Sequence, residues 1–305
     1  MSFHHFILTR FNLPLWTEDK CGRSIDRISW LGERMFLFEK YCLPSVVGQT
    51  NYNFTWILLC DENTPVEYRE HIKSYRDQLS MIELIQVEGE YAWDFPNVFS
   101  EVVSSMLEAR GANDGDVCIT TQLDNDDAIN KDYIDFIQRY ILENKDVKDY
   151  WEKSTPLFLS FDYGLQYFTG LNMATRVKYP NNHFMTCVET VKRINTEQNG
   201  DGSIFLIGTC FGYGSHFLLE KEFGMCVEHI VDKTKPMWCE VIHKDNVDND
   251  VKMTLDTKAV RDKKFLQKEF CIDTILQVCL FSFFIKATEQ VFRRTKGKFI
   301  RRKWR

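Results

Sequence analysis

Apolar and polar positions divide the chain into short elements that alternate in type. Residues 6–9 (FILT) read as a buried strand ending in Arg10, Phe11, Asn12, Leu13 and Pro14, which turn. Leu31, Met35, Phe38 and Cys42 recur at helical spacing, predicting a helix over 30–43 that Pro44 stops or kinks. Residues 54–60 (FTWILLC) are continuously apolar and rich in strand formers, and 61–65 (DENTP) turn. A polar helix over 65–79 and a third strand over 81–87 (MIELIQV) follow. Val98, Val102, Met106 and Ala109 define one face of a helix over 97–110, with Gly111 as its cap. A fourth strand over 116–123 (DVCITTQL) comes next. Asn130 is the expected cap of a helix reaching Glu143, with Tyr133, Ile137 and Tyr140 on one face.

Four alternations of strand and helix imply a parallel sheet with right-handed crossovers. The second half is less regular. Residues 157–161 (LFLSF) and 204–207 (IFLI) read as strands, and 199–202 (NGDG) as a turn. The expectation is an α/β domain over 1–265, a mostly parallel central sheet flanked by helices, followed by a C-terminal helical segment over 266–305.

The chain of 305 residues is 44% hydrophobic and 27% charged, which excludes wholesale disorder. Its net charge of −6 hides an asymmetry: residues 293–305 carry eight Lys or Arg and no acid. An acidic body argues against nucleic acid as the main partner. Phe292, Phe299, Ile300 and Trp304 interleave with those cations, so 287–305 suits an interfacial helix on anionic lipid. A solvated end is the plainer alternative. The ten cysteines form no Cys-x-x-Cys, and the start lacks the pattern of a signal peptide, so reduced thiols and a cytoplasmic location are expected. The most apolar stretch, 270–285, is interrupted by Asp273 and Gln277 and falls short of the roughly 20 residues of a membrane span.

Residues 123–128 (LDNDDA) change the picture most. Three carboxylates and an amide fall within four positions at the end of a buried strand. Such a concentration of charge calls for compensation, and a divalent cation with oxygen ligands supplies it. A calcium-binding loop fails, because Ala128 and Ile129 stand where a ligand and a glycine are needed. In open α/β sheets ligands bind at the carboxyl ends of strands. Arg10, Asp61 and the acidic cluster all follow predicted strands and would converge there. An arginine, a carboxylate and a metal together suit a nucleoside diphosphate. No glycine-rich phosphate loop is present, so metal would hold the phosphates. The plainer readings are a turn for Asp124 to Asp127 and for Asp61, a surface ion pair for Arg10, and a satisfied core or surface side chain for His243.

Residues 5–12 (HFILTRFN), 34–45 (RMFLFEKYCLPS) with Gln49 and Thr50, 54–61 (FTWILLCD) and 120–128 (TTQLDNDDA) occur in this order. Trp238, Ile242, His243 and Asn246 follow. This ordered set resembles the rhamnosyl transferase family of bacterial glycosyltransferases, over residues 5 to about 246. The resemblance implies a GT-A-like, Rossmann-like fold and a nucleotide-sugar donor, such as a UDP-sugar or dTDP-rhamnose. It also implies Mn2+ or Mg2+ held by Asp124, Asp126 and His243, with Asp124 toward the ribose or sharing the metal and Asp61 reading the base. Thr9, Arg10, Asn12 and Arg34 complete the donor side. An inverting enzyme needs a carboxylate base. Glu189, Asp162, Glu240 and Asp127 are candidates, and Glu189, expected on a helix facing the acceptor, is preferred. The acceptor would be a glycan or lipid-linked glycan at the cytoplasmic membrane face. The rival readings are a nucleotidyltransferase or phosphohydrolase using the same cluster, and a non-catalytic carbohydrate-binding protein.

Overall fold

The computed structural model describes residues 2–18, 24–144, 156–195, 203–205, 207–243, 251–252, 257–277 and 288. In chain order, β1 (Phe3–Arg10) leads into α1 (Arg27–Leu37) and α2 (Leu43–Val47). Then come β2 (Thr55–Asp61), α3 (Val66–Gln78), β3 (Ile82–Val87), α4 (Phe95–Ala109), β4 (Val117–Gln122), β5 (Ala128–Ile129) and α5 (Tyr133–Glu143). The second half adds β6 (Leu157–Phe161), β7 (Tyr163–Phe168), β8 (Met173–Lys178), β9 (Thr186–Thr190), β10 (Arg193–Asn195), β11 (Ser203–Phe205), β12 (Cys226–Ile230), β13 (Trp238–Ile242), β14 (Lys258–Ala259) and α6 (Phe265–Phe270).

The central sheet has the order β12-β6-β9-β4-β1-β2-β3. All its pairings are parallel except those of β9, which runs antiparallel between β4 and β6. This is the mostly parallel, helix-flanked sheet that the alternation implies. Along β1 and β2 alternate side chains enter two separate cores, which is why Phe6 to Leu8 and Trp56 to Cys60 are continuously apolar. Ile7, Trp56 and Leu58 pack with residues of α1, α3 and α5 on one face. Phe6, Leu8, Ile57 and Leu59 pack with α4 on the other.

A second sheet, in the order β14-β8-β7-β13-β5, lies beside the first. Its core joins Leu165, Tyr167 and Val241 to Leu37 and Tyr41, and to Leu266, Phe270, Ile272 and Leu276 near the C-terminal end of the described chain. Among the described residues no helix is long and apolar enough to cross a membrane. The basic stretch 287–305, Thr288 aside, lies outside the described residues, as do Asn246 and the turn expected at 199–202.

Several local expectations change. The first helix does not stop at Pro44. A wide π turn over Phe38–Cys42 carries it into α2, with Pro44 in the first turn of that segment. The buried face of α4 is Phe99, Val103 and Leu107, one position on from the expected stripe, and Ala109 is exposed. Asn130 does not cap α5, which begins at Tyr133 after Asp132. Its side chain instead accepts the Asp132 N–H at 3.0 Å. Glu189 belongs to β9, not to a helix. The strand expected over 204–207 is the short β11, paired antiparallel with β10.

Candidate functional site

Parallel register brings the polar strand ends together. Leu8 on β1 pairs with Gln122 on β4, so Arg10 and Asp124, each two residues further on, meet at 3.1 Å. The Arg10 guanidinium also lies over the rings of Phe95 and Phe211, at 4.9 and 5.3 Å, which fixes its direction. From α1, Arg34 reaches the same edge and pairs with Asp126 at Oδ2, its guanidinium 5.1 Å from the Trp30 ring. His243, one residue past β13, approaches that same carboxylate oxygen at 2.9 Å. Burial would raise the Asp126 carboxyl, but Arg34 and then His243 outweigh it and hold it well below the usual carboxylate range.

Asp127 faces the other way. Its Oδ1 accepts the Val241 N–H at 2.8 Å, and its Oδ2 lies 2.8 Å from His183 Nε2. The pair is almost fully buried. Burial disfavours a charged His183, yet the hydrogen bond and charge of Asp127 outweigh it and push the imidazole above its ordinary range. Asn182 holds the loop that carries His183, donating to the carbonyls of Phe161 and Tyr179 at 2.9 and 2.8 Å.

Arg10, Arg34, Asp124, Asp126 and His183 border a cavity of about 400 Å³. Its lining brings an apolar and aromatic group, Leu13, Leu15, Trp16 and Trp30, together with the polar Gln122 and Asn125 and, from the second half, Tyr179, His216, Phe217, Glu240 and Lys252. His216 Nε2 is buried without a partner, and burial first, then the nearby His183, pushes this imidazole down to about 3. A second, larger cavity of about 1030 Å³ lies beyond, and His243 lines that one.

Asp124, Asp127 and His183 each offer one ligand atom, and these atoms lie within 4.8 Å of one another. Two carboxylates and an imidazole are a suitable donor set for a divalent cation. This differs from the expected set of Asp124, Asp126 and His243. Asp126 Oδ2 is shared by Arg34 and His243, and His243 lines the other cavity.

Other expected residues are placed as follows. Thr9 is fully buried. Its hydroxyl donates to the Leu123 carbonyl at 2.7 Å and accepts from Trp56 Nε1 at 2.9 Å. Asn12 braces the β2 end, donating to Thr64 Oγ1 at 2.8 Å and accepting the Asp61 N–H at 3.0 Å. Asp61 itself borders a separate depression with Arg69, Lys73 and Arg76, and its nearest charge is Arg27 at 3.9 Å. Glu189 is enclosed, its carboxylate accepting from the Gly208 and Thr209 N–H groups and from the Tyr213 hydroxyl. Burial pushes its carboxyl up against those bonds. Asp162 is held by His229 at 2.6 Å and Lys178 at 3.6 Å. Thr9, Asn12, Asp61, Glu189 and Asp162 are all missing from the cavity lining.

A family model described as "Putative rhamnosyl transferase" matches residues 5–254. The chain belongs to this family. The matched span takes in every described residue of the cavity wall, from Arg10 to Lys252. Comparison with curated proteins finds no match. Among solved structures, TarS 1–349 of S. aureus aligns with 79% of this chain at 12% identity and a TM-score of 0.36. Its complexes with UDP and with UDP-GlcNAc align at 12% and 13% identity, with TM-scores of 0.34 and 0.33, over 79% and 81% of this chain. The chain spans about 60% of the length of these solved chains.

His183, His216 and Lys252 border the cavity without having been read as site residues. Nothing in the linear sequence marks them. They lie on loops and strand ends of the second half, which the pairings of β9 with β4 and of β13 with β5 bring to the acidic cluster.

Proposed function

We propose that this protein transfers a sugar from a nucleoside-diphosphate sugar to a glycan acceptor. The observation that carries the reading is the convergence, in one cavity, of Arg34 from α1 with Arg10, Asp124, Asn125 and Asp126 at the ends of two adjacent parallel strands. The aromatic group suits a nucleobase, which stacks on rings such as Trp16 and Trp30. Arg10 and Arg34 face the diphosphate as planar, always-charged donors. The lining residues from Tyr179 to Lys252 are left for the sugar and the acceptor hydroxyl. Asp124, Asp127 and His183 would hold a Mn2+ or Mg2+ ion. Bound there, it would act as a Lewis acid on the departing diphosphate. Asp126, neutralised by Arg34, positions the arginine rather than the ion.

The test is binding of UDP, GDP and dTDP by calorimetry, with and without Mn2+. Asp124→Ala and Asp127→Ala are expected to abolish the Mn2+-dependent part, and undiminished binding by both variants refutes the site. Release of nucleoside diphosphate together with sugar transfer separates this activity from nucleotidyl transfer or phosphate hydrolysis. Binding without turnover is the outcome that favours a non-catalytic carbohydrate-binding protein.

The cations and aromatic residues of 287–305 support a second part of the proposal, peripheral contact with an anionic membrane face. Full-length protein is expected to co-sediment with phosphatidylglycerol vesicles and a chain ending at residue 286 is not. Equal sedimentation removes the membrane contact.

A further inference from the structure

Five buried carboxylates lie at or near the cavity, and four are already committed, Asp126 among them through Arg34 and His243. Both oxygens of Asp127 are engaged, by Val241 and His183. Glu189 accepts three hydrogen bonds and Asp162 holds a histidine and a lysine. Glu240 differs. It lies on β13, borders the cavity, and has one oxygen, Oε2, held by Gln166 Nε2 at 2.6 Å.

The neighbouring strand fixes that contact. Glu240 and Gln166 are register partners across the parallel β13–β7 pair. Gln166 Oε1 accepts the Lys252 N–H at 2.7 Å, so its amide nitrogen must face Glu240. The carboxylate is thus oriented, at the cavity border, by a donor that is itself oriented. Arg10 and Arg34, the groups proposed above to meet the diphosphate, line the same cavity.

We infer that Glu240 is the catalytic base that receives the acceptor's hydroxyl proton, with Gln166 as its positioning residue. This rests on the glycosyl-transfer reading above. The acceptor oxygen bonds to the anomeric carbon, and the bond from that carbon to the phosphoryl oxygen breaks. Its electron pair leaves with the nucleoside diphosphate, and the hydroxyl proton passes to the Glu240 carboxylate. One displacement inverts the anomeric configuration. Burial pushes the Glu240 carboxyl up, while His183, Gln166 and Lys252 pull it down and Asp126 adds to the rise. Asp127 is near enough for the two carboxylates to repel.

The experiment supplies UDP-, GDP- and dTDP-sugars with Mn2+ and a panel of p-nitrophenyl glycosides as acceptors. It follows nucleoside diphosphate release and the anomer formed. Glu240→Gln is expected to lower kcat roughly 10²- to 10⁴-fold while nucleoside diphosphate affinity stays within about twofold, the scale of a lost proton transfer rather than a lost binding contact. Gln166→Leu removes a bond that favours the charged carboxylate, so the acidic limb of the kcat–pH profile moves to higher pH, with a smaller loss of rate. Turnover of Glu240→Gln within about threefold of wild type overturns the assignment. So does loss of nucleotide binding by this variant, or a product of retained configuration. If wild-type protein binds nucleotide yet transfers no sugar to any acceptor or to water, the glycosyl-transfer reading itself fails, and this inference with it.

Discussion

Arg34 and Asp126 are both less than a tenth exposed, so each is tolerable only because of the other. Arg34→Met is expected to destabilise the fold by about 3–5 kcal/mol, read by urea denaturation, because it strands a buried charge. The added Asp126→Leu should recover part of that loss. His5 gives a second test. It is buried against Thr121 and Gln138, and burial lowers its pKa from 6.5 to about 3. The folded chain therefore keeps His5 neutral where the unfolded chain protonates it. Stability from this group is complete above about pH 6.5 and falls as pH drops toward 3, making the fold about 2 kcal/mol weaker at pH 5 than at pH 7. Denaturation at the two pH values should show a smaller difference for His5→Gln. At this scale the sequence marks where charge concentrates but not how it is divided. Asp124, Asp126 and Asp127 stand out as a group, yet their separate partners come from residues 10, 34 and 183, which no local spacing connects to them.

Elements were most legible where a single period governs burial. The spacing of Leu31, Met35 and Phe38 locates α1, and the apolar run before Asp61 locates β2. β9 lacks such a period. It is buried on both faces between β4 and β6, so Thr186 to Glu189 show no alternation, and its last residue is half buried. β7 was illegible for another reason: Gly164 interrupts it. That glycine is needed because the Trp238 indole lies where a Cβ would go. Trp238 in turn stacks on Phe184, beside His183, with ring centroids 5.2 Å apart. Gly164→Ala is therefore expected to cost about 1–3 kcal/mol by overpacking. It should also weaken nucleotide binding, since the displaced indole pushes on the loop that presents His183. Wild-type affinity in a destabilised variant would show that the indole yields elsewhere.

Across the whole molecule, the first half builds a sheet edge and the second half closes a wall over it. Alternating strands and helices made the first visible in sequence; the second depends on pairings over more than a hundred residues, such as Ala128 with Cys239. A cation seated between Asp124, Asp127 and His183 would tie the halves together. Mn2+ should accordingly raise the thermal midpoint by several degrees, reversibly with EDTA, and Asp127→Ala should abolish the rise. The Asp127 carboxylate already joins the sheets without an ion, through the Val241 N–H. Its consequence reaches back to synthesis. A nascent chain has made its acidic loop long before residue 241 leaves the ribosome, and until then Asp127 must stay hydrated. The completed cavity wall is thus among the last features of the protein to form as the chain is made.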